Sequence, residues 1–75
     1  MTPEQIHRIK DPSERARAAQ GFIERGDDAI AGMRAVRDAA IFEWRMTATQ
    51  RDMAAALGVS PGLIGQIIAN RQEAK

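Results

Sequence analysis

Residues 50–69 read QRDMAAALGVSPGLIGQIIA, and the spacing of small and apolar residues in this stretch decides the fold. Met53, Ala54, Leu57, Val59, Ile64 and Ile67 recur at the steps by which two helices face each other. Gly58 stands at the corner, where a backbone with φ > 0 costs a residue bearing a Cβ about 1 kcal/mol. Ala54 falls where the helices cross, so a larger side chain there would push them apart. Val59 fills the corner. Ser60 can cap the second helix, and Pro61 suits its first position, where no N–H is needed. The spacing predicts a helix-turn-helix: one helix over about 50–57, a tight turn, and a second helix to about Asn70, with 71–75 fraying. A plain αα-hairpin inside a small bundle satisfies the same apolar pattern and is the alternative.

Upstream, Thr47-Ala48-Thr49 interrupts the chain, and Thr49-Gln50-Arg51-Asp52 is a capping-box variant that opens the unit. Two further start signals lie near the N-terminus. Thr2-Pro3-Glu4-Gln5 and Asp11-Pro12-Ser13-Glu14 each offer a cap, a proline at the first helical position and a polar residue two further on. Pro12 disfavours helix at Asp11. A short helix over about 3–10 is therefore expected within segment 1–10.

Beyond Pro12, Ala16, Ala19, Ile23, Gly26, Ile30, Met33, Ala40 and Trp44 fall in a heptad stripe, with Arg37 in its one polar slot. The phase carries through Gly26, which favours one long helix over 12–46, bent at Gly26. Gly26-Asp27-Asp28 also reads as a stop and a new cap, so two helices are the alternative. A second stripe, Ala31, Ala35, Ala39, Phe42 and Met46, lies on the opposite side. One stripe can pack on the C-terminal unit through Ile41 and Trp44, leaving the other for the N-terminal helix or a second subunit. Arg34, Asp38 and Arg45 fall in the gap between stripes and are expected in solvent. The expected architecture is all-α, a single domain over 1–75: the short N-terminal helix, the long helix 12–46 as dimerisation element, and the helix-turn-helix unit 49–70.

The chain has 75 residues. A single core of that size is marginal, and a second copy is a ready source of stability. There is no cysteine, which excludes disulfides and cysteine-based zinc sites. His7 stands alone, without a second histidine to share a metal, and is expected to be exposed. No apolar run reaches the length of a membrane span and no leader pattern opens the sequence, so a soluble, cytoplasmic, nucleoid-associated protein without membrane contact is expected. Formal net charge is +1, and all but Lys10 and Lys75 of the eleven basic residues are arginine. Affinity for nucleic acid scales with neutralised phosphates, so a dimer doubles what one weakly basic chain supplies.

Catalysis finds no support. No His–carboxylate pair has ligand spacing. Gly62-Leu63-Ile64-Gly65 lacks the lysine of a phosphate loop, and Ser60 is explained by capping. No catalytic, metal or cofactor-binding residue is assigned, no cofactor is expected, and no small-molecule substrate is evident. The chemistry that remains is groove contact. Ser60, Pro61, Gly62, Gly65, Gln66, Ala69 and Asn70 occupy the outward positions of the second helix. Gln66 suits bidentate reading of an adenine edge, and Ser60 and Asn70 can reach phosphates or bases. Thr49 and Gln50 stand at the N-terminus of the first helix, where a phosphate can be held, with Arg51 and Arg71 the nearest cations. The expected DNA-contact set is Thr49, Gln50, Arg51, Ser60, Pro61, Gly62, Gly65, Gln66, Asn70 and Arg71.

The chain resembles small actinobacterial helix-turn-helix proteins whose DNA-binding unit is similar to region 4 of sigma factors. The likeness runs over nearly the whole chain: Ile9-Lys10-Asp11-Pro12-Ser13-Glu14-Arg15-Ala16 near the start, a long helix with an arginine near Arg37, and the unit Gln50–Ala69. Members often carry a basic residue near Leu63 and a leucine at the place of Gly26, and this chain differs at both. The resemblance implies a sequence-specific binder of double-stranded DNA, bacterial or phage, acting as a homodimeric transcription regulator. The competing expectation is a protein-interaction module on the same fold, such as a sigma-factor regulator, a phage-type inhibitor or an antitoxin-like partner. The low net charge and the glycines of the second helix motivate it.

Overall fold

Prolines and short polar caps set where the helices begin. The computed structural model describes residues 2–25 and 31–73, and among these the chain forms five helices: α1 (Pro3–His7), α2 (Pro12–Glu24), α3 (Ala31–Trp44), α4 (Gln50–Leu57) and α5 (Pro61–Glu73). At α1 the Thr2 hydroxyl accepts from Gln5 N–H, and the Gln5 carboxamide accepts from Thr2 N–H at 2.8 Å, a complete capping box. At α2 the expected side-chain cap is not formed. Asp11 is the N-cap residue, but its carboxylate accepts from the Ser13 hydroxyl at 2.7 Å. That bond, together with backbone bonds from Ser13 and Glu14 and the charge of Arg15, holds the Asp11 carboxyl below its ordinary pKa. α1 is also shorter than expected, and α5 continues as helix to Glu73.

The expected single helix over 12–46 is not formed. Thirty-five helical residues would extend about 52 Å, whereas the longest dimension is 27 Å. α2 ends at Glu24 with Arg25 as its C-cap, and α3 folds back against it. Arg37 Nη1 donates to Gln20 Oε1 at 3.0 Å across the pair, and Arg15 is ion-paired with Glu43. The expected bend at Gly26 lies outside the described residues. The unbroken heptad phase has a simple cause: the α2 half of the stripe (Ala16, Ala19) and the α3 half (Met33, Ala40) are buried within the same chain. Periodicity reports which faces are covered, not whether the covering helix is the partner's or the chain's own.

Two clusters form the interior. Ile6 of α1 is fully buried with Ala19, Met33 and Val36. A larger cluster joins Ala16, Ala40 and Ile41 to Met53, Ala54 and Leu57 of α4 and to Ile64, Ile67 and Ile68 of α5, with Trp44 and Val59 at its margin. Ile41, Met53 and Ile64 are completely shielded from solvent. The expected packing of Ile41 and Trp44 on the C-terminal pair is thus formed. Arg15 fastens the N-terminal segment as well, donating to the carbonyl of Ile9 at 2.9 Å. The radius of gyration, 11.5 Å, is near the roughly 11 Å typical of a folded domain of this length. Among the described residues no single helix is long and apolar enough to cross a membrane; α4 and α5 are apolar enough only together, and the chain turns by 116° between them.

Candidate nucleic-acid interface

The α4–α5 corner is built from local chemistry. Thr49 caps α4, its hydroxyl accepting from Asp52 N–H at 3.1 Å. Gly58 ends the helix in the left-handed region, φ 70° and ψ 32°. It is the one described residue with positive φ. Val59 N–H then reaches back to the Ala54 carbonyl at 3.0 Å, a six-to-one closure of the Schellman kind. Ser60 caps α5, its hydroxyl accepting from Leu63 N–H at 3.2 Å. The result is two short helices joined by three residues at 116°.

α5 has two distinct sides. Ile64, Ile67 and Ile68 point into the large cluster. Pro61, Gly62, Gln66, Ala69 and Asn70 are exposed, at the i, i+4, i+7, i+8 spacing of one helical face. Thr49, Gln50, Arg51 and Ser60 are exposed too. Gly65 is half-buried rather than open, because the Gln50 carboxamide lies over it: a Cβ added at residue 65 would stand 3.1 Å from Gln50 Oε1. This contact seats the N-terminus of α4 beside the Gly62–Gln66 face. Thr49, Gln50, Arg51 and Gln66 thereby share one edge of the molecule.

Arg71 is exposed but turns away from that edge. Its guanidinium carbon lies 5.6 Å from the centre of the Phe42 ring on α3. Arg45, expected in open solvent, is half-buried and stacks on the same ring at 4.1 Å. The sequence carries part of this signal, since Phe42 and Arg45 are three apart and therefore neighbours on a helix. The approach of Arg71 is tertiary and has no sequence signature. Among the described residues no three His, Asp or Glu side chains gather as metal ligands would. Comparison with protein families, with curated proteins and with solved structures gives no match.

Proposed function

We propose that the chain is a sequence-specific double-stranded DNA-binding protein, a transcription regulator in which α4 and α5 act as a helix-turn-helix. The observation that carries this reading is the outward polar edge of α5. Gln66 is exposed beside the capped N-terminus of α4, on a helix whose opposite side is anchored by three isoleucines. A 116° turn over three residues with a glycine corner is the geometry by which such units place a second helix in the major groove. Small residues at Gly62 and Ala69 let the backbone of α5 lie close to base edges and thymine methyls. Thr49, Gln50 and Arg51 then meet the phosphates alongside.

The active form in this reading is a homodimer. The second stripe of α3 leaves Ala35 and Met46 exposed, apolar surface on which a second copy can pack, and two copies double the phosphates neutralised. Half-sites should then lie about 10 bp apart, or a multiple of that.

The test is salt-titrated binding of the whole chain to genomic fragments, with a footprint on the tightest. A subset of fragments should bind preferentially, and Gln66→Ala should erase about 1–3 kcal/mol of that preference. Weak, equal binding to every fragment at every salt concentration would remove the proposal.

A further inference from the structure

The two arginines on Phe42 are an unusual pair. Their guanidinium carbons lie 4.1 Å and 5.6 Å from one ring centre, both inside the roughly 6 Å range of cation–π attraction. Two like charges held on one ring repel each other, and neither has a carboxylate partner among the described residues, whose ion pairs are Arg15–Glu43 and Arg37–Asp38. Within the protein, Arg45 donates one side-chain hydrogen bond, to Met46 Sδ at 3.4 Å, and a thioether is a weak acceptor. Its Nε is shut off from solvent and has no partner at all. Buried donors of this kind are rare in folded proteins and call for an explanation.

Stacking on an aromatic face occupies the plane of a guanidinium and leaves its edge of N–H donors free. That edge matches two oxygens of a phosphate. We propose that Arg45, Phe42 and Arg71 form a phosphate-binding site, and that its occupant is a backbone phosphate of the duplex engaged by α5. The second half of the proposal rests on the DNA-binding reading above. Position supports it: Arg71 lies five residues beyond Gln66 on α5, about 7.5 Å along the axis. A duplex seated against Gln66 therefore passes within reach of Arg71. A phosphate there relieves the repulsion between the cations and supplies the acceptor that the protein does not. Phe42 acts as the platform that fixes both edges, and its own contact with the ligand is not required.

The test is an NMR titration of the full-length, ¹⁵N-labelled chain observed at the arginine Nε–Hε signals. Three probes are added separately: inorganic tripolyphosphate, a preferred or random DNA duplex, and a glutamate-rich peptide. Both phosphate probes should shift the Arg45 and Arg71 signals saturably. Arg45→Gln should weaken tripolyphosphate binding by about fivefold or more and lower the slope of log affinity against log salt for the duplex by about one. Gln66→Ala should leave tripolyphosphate binding unchanged.

If tripolyphosphate binds and no duplex does, the site stands as a phosphate site, and its assignment to DNA falls together with the helix-turn-helix reading. If the duplex binds while Arg45→Gln leaves the salt slope intact, the phosphate site is wrong and the DNA reading survives. Signals that stay still with both phosphates, or that respond to the peptide at lower concentration than to tripolyphosphate, overturn the site. The wild-type titration decides these points even if Arg45→Gln fails to fold.

Discussion

The Gln50 carboxamide rests over Gly65, with its oxygen 3.1 Å from the point a Cβ at residue 65 would occupy. The glycine is therefore what allows Gln50 to lie flat between α4 and α5. Gly65→Ala should raise helix stability by up to about 1 kcal/mol, because Gln50 is exposed and its tip can swing aside. The same movement takes Gln50 from its seat beside Gln66. Thermal unfolding should show a rise of a few degrees, and DNA binding by the same variant should weaken. A variant gaining both stability and affinity would mean that the placement of Gln50 is irrelevant to contact.

Gly58 behaves in the opposite way. Its φ of 70° is strained for any residue with a Cβ, although open space surrounds it. Gly58→Ala should destabilise the fold by about 1–2 kcal/mol, and Gly58→Asn by less, since asparagine tolerates this conformation better. Denaturant titration of the two variants gives the ranking directly.

Ile64 is fully buried where α3, α4 and α5 converge. Ile64→Ala should cost about 2–5 kcal/mol. A domain of this length has a total stability of roughly 4–11 kcal/mol, so the unfolding midpoint should fall by about 10 °C or more. Circular dichroism on heating measures it.

The Arg37–Gln20 hydrogen bond is the polar tie between α2 and α3, and Gln20 is 8% exposed. Arg37→Ala strands the Gln20 carboxamide in the interior and should cost about 1–3 kcal/mol. Replacing both residues by leucine should cost less than the sum of the single leucine substitutions. A double-mutant cycle with no coupling would show that the bond contributes nothing.

The Asp11 carboxyl is held below the ordinary carboxylate range, chiefly by the Ser13 hydroxyl. A depressed folded-state pKa stabilises the fold above the unfolded-state value, and that contribution disappears as pH falls through the lowered folded-state value. Ser13→Ala should move the Asp11 titration upward toward the ordinary value in a carbon-detected NMR titration. It should also shrink the acid-side loss of stability. Asp11 is fully exposed, so the effect on stability will be small and the titration shift is the decisive measurement.

The local parts of this fold are legible in the sequence because their causes are local. The α4–α5 corner follows from Gly58, Val59, Ser60 and Pro61, each acting within a few residues, and the Thr2 capping box likewise. The relation between α2 and α3 is not legible in the same way. A stripe of Ala16, Ala19, Met33 and Ala40 looks identical whether it lies on one helix or on two that close on each other, because burial is recorded and direction is not. The same limit hid Arg45. Its charge and its place between two stripes read as solvated, and the stacking partner that half-buries it is visible only once α3 and α5 are brought together. Ile6 gave no periodic signal, since one buried residue on a single turn of helix defines no face.

The two-sided character of α5 carries a consequence for how such a chain can change. Ile64, Ile67 and Ile68 bear the folding load, while Gly62, Gln66, Ala69 and Asn70 face out and carry almost none. Sequence drift on the outer row is therefore nearly free of penalty, and a new target preference can be acquired by a few replacements on a scaffold that stays intact.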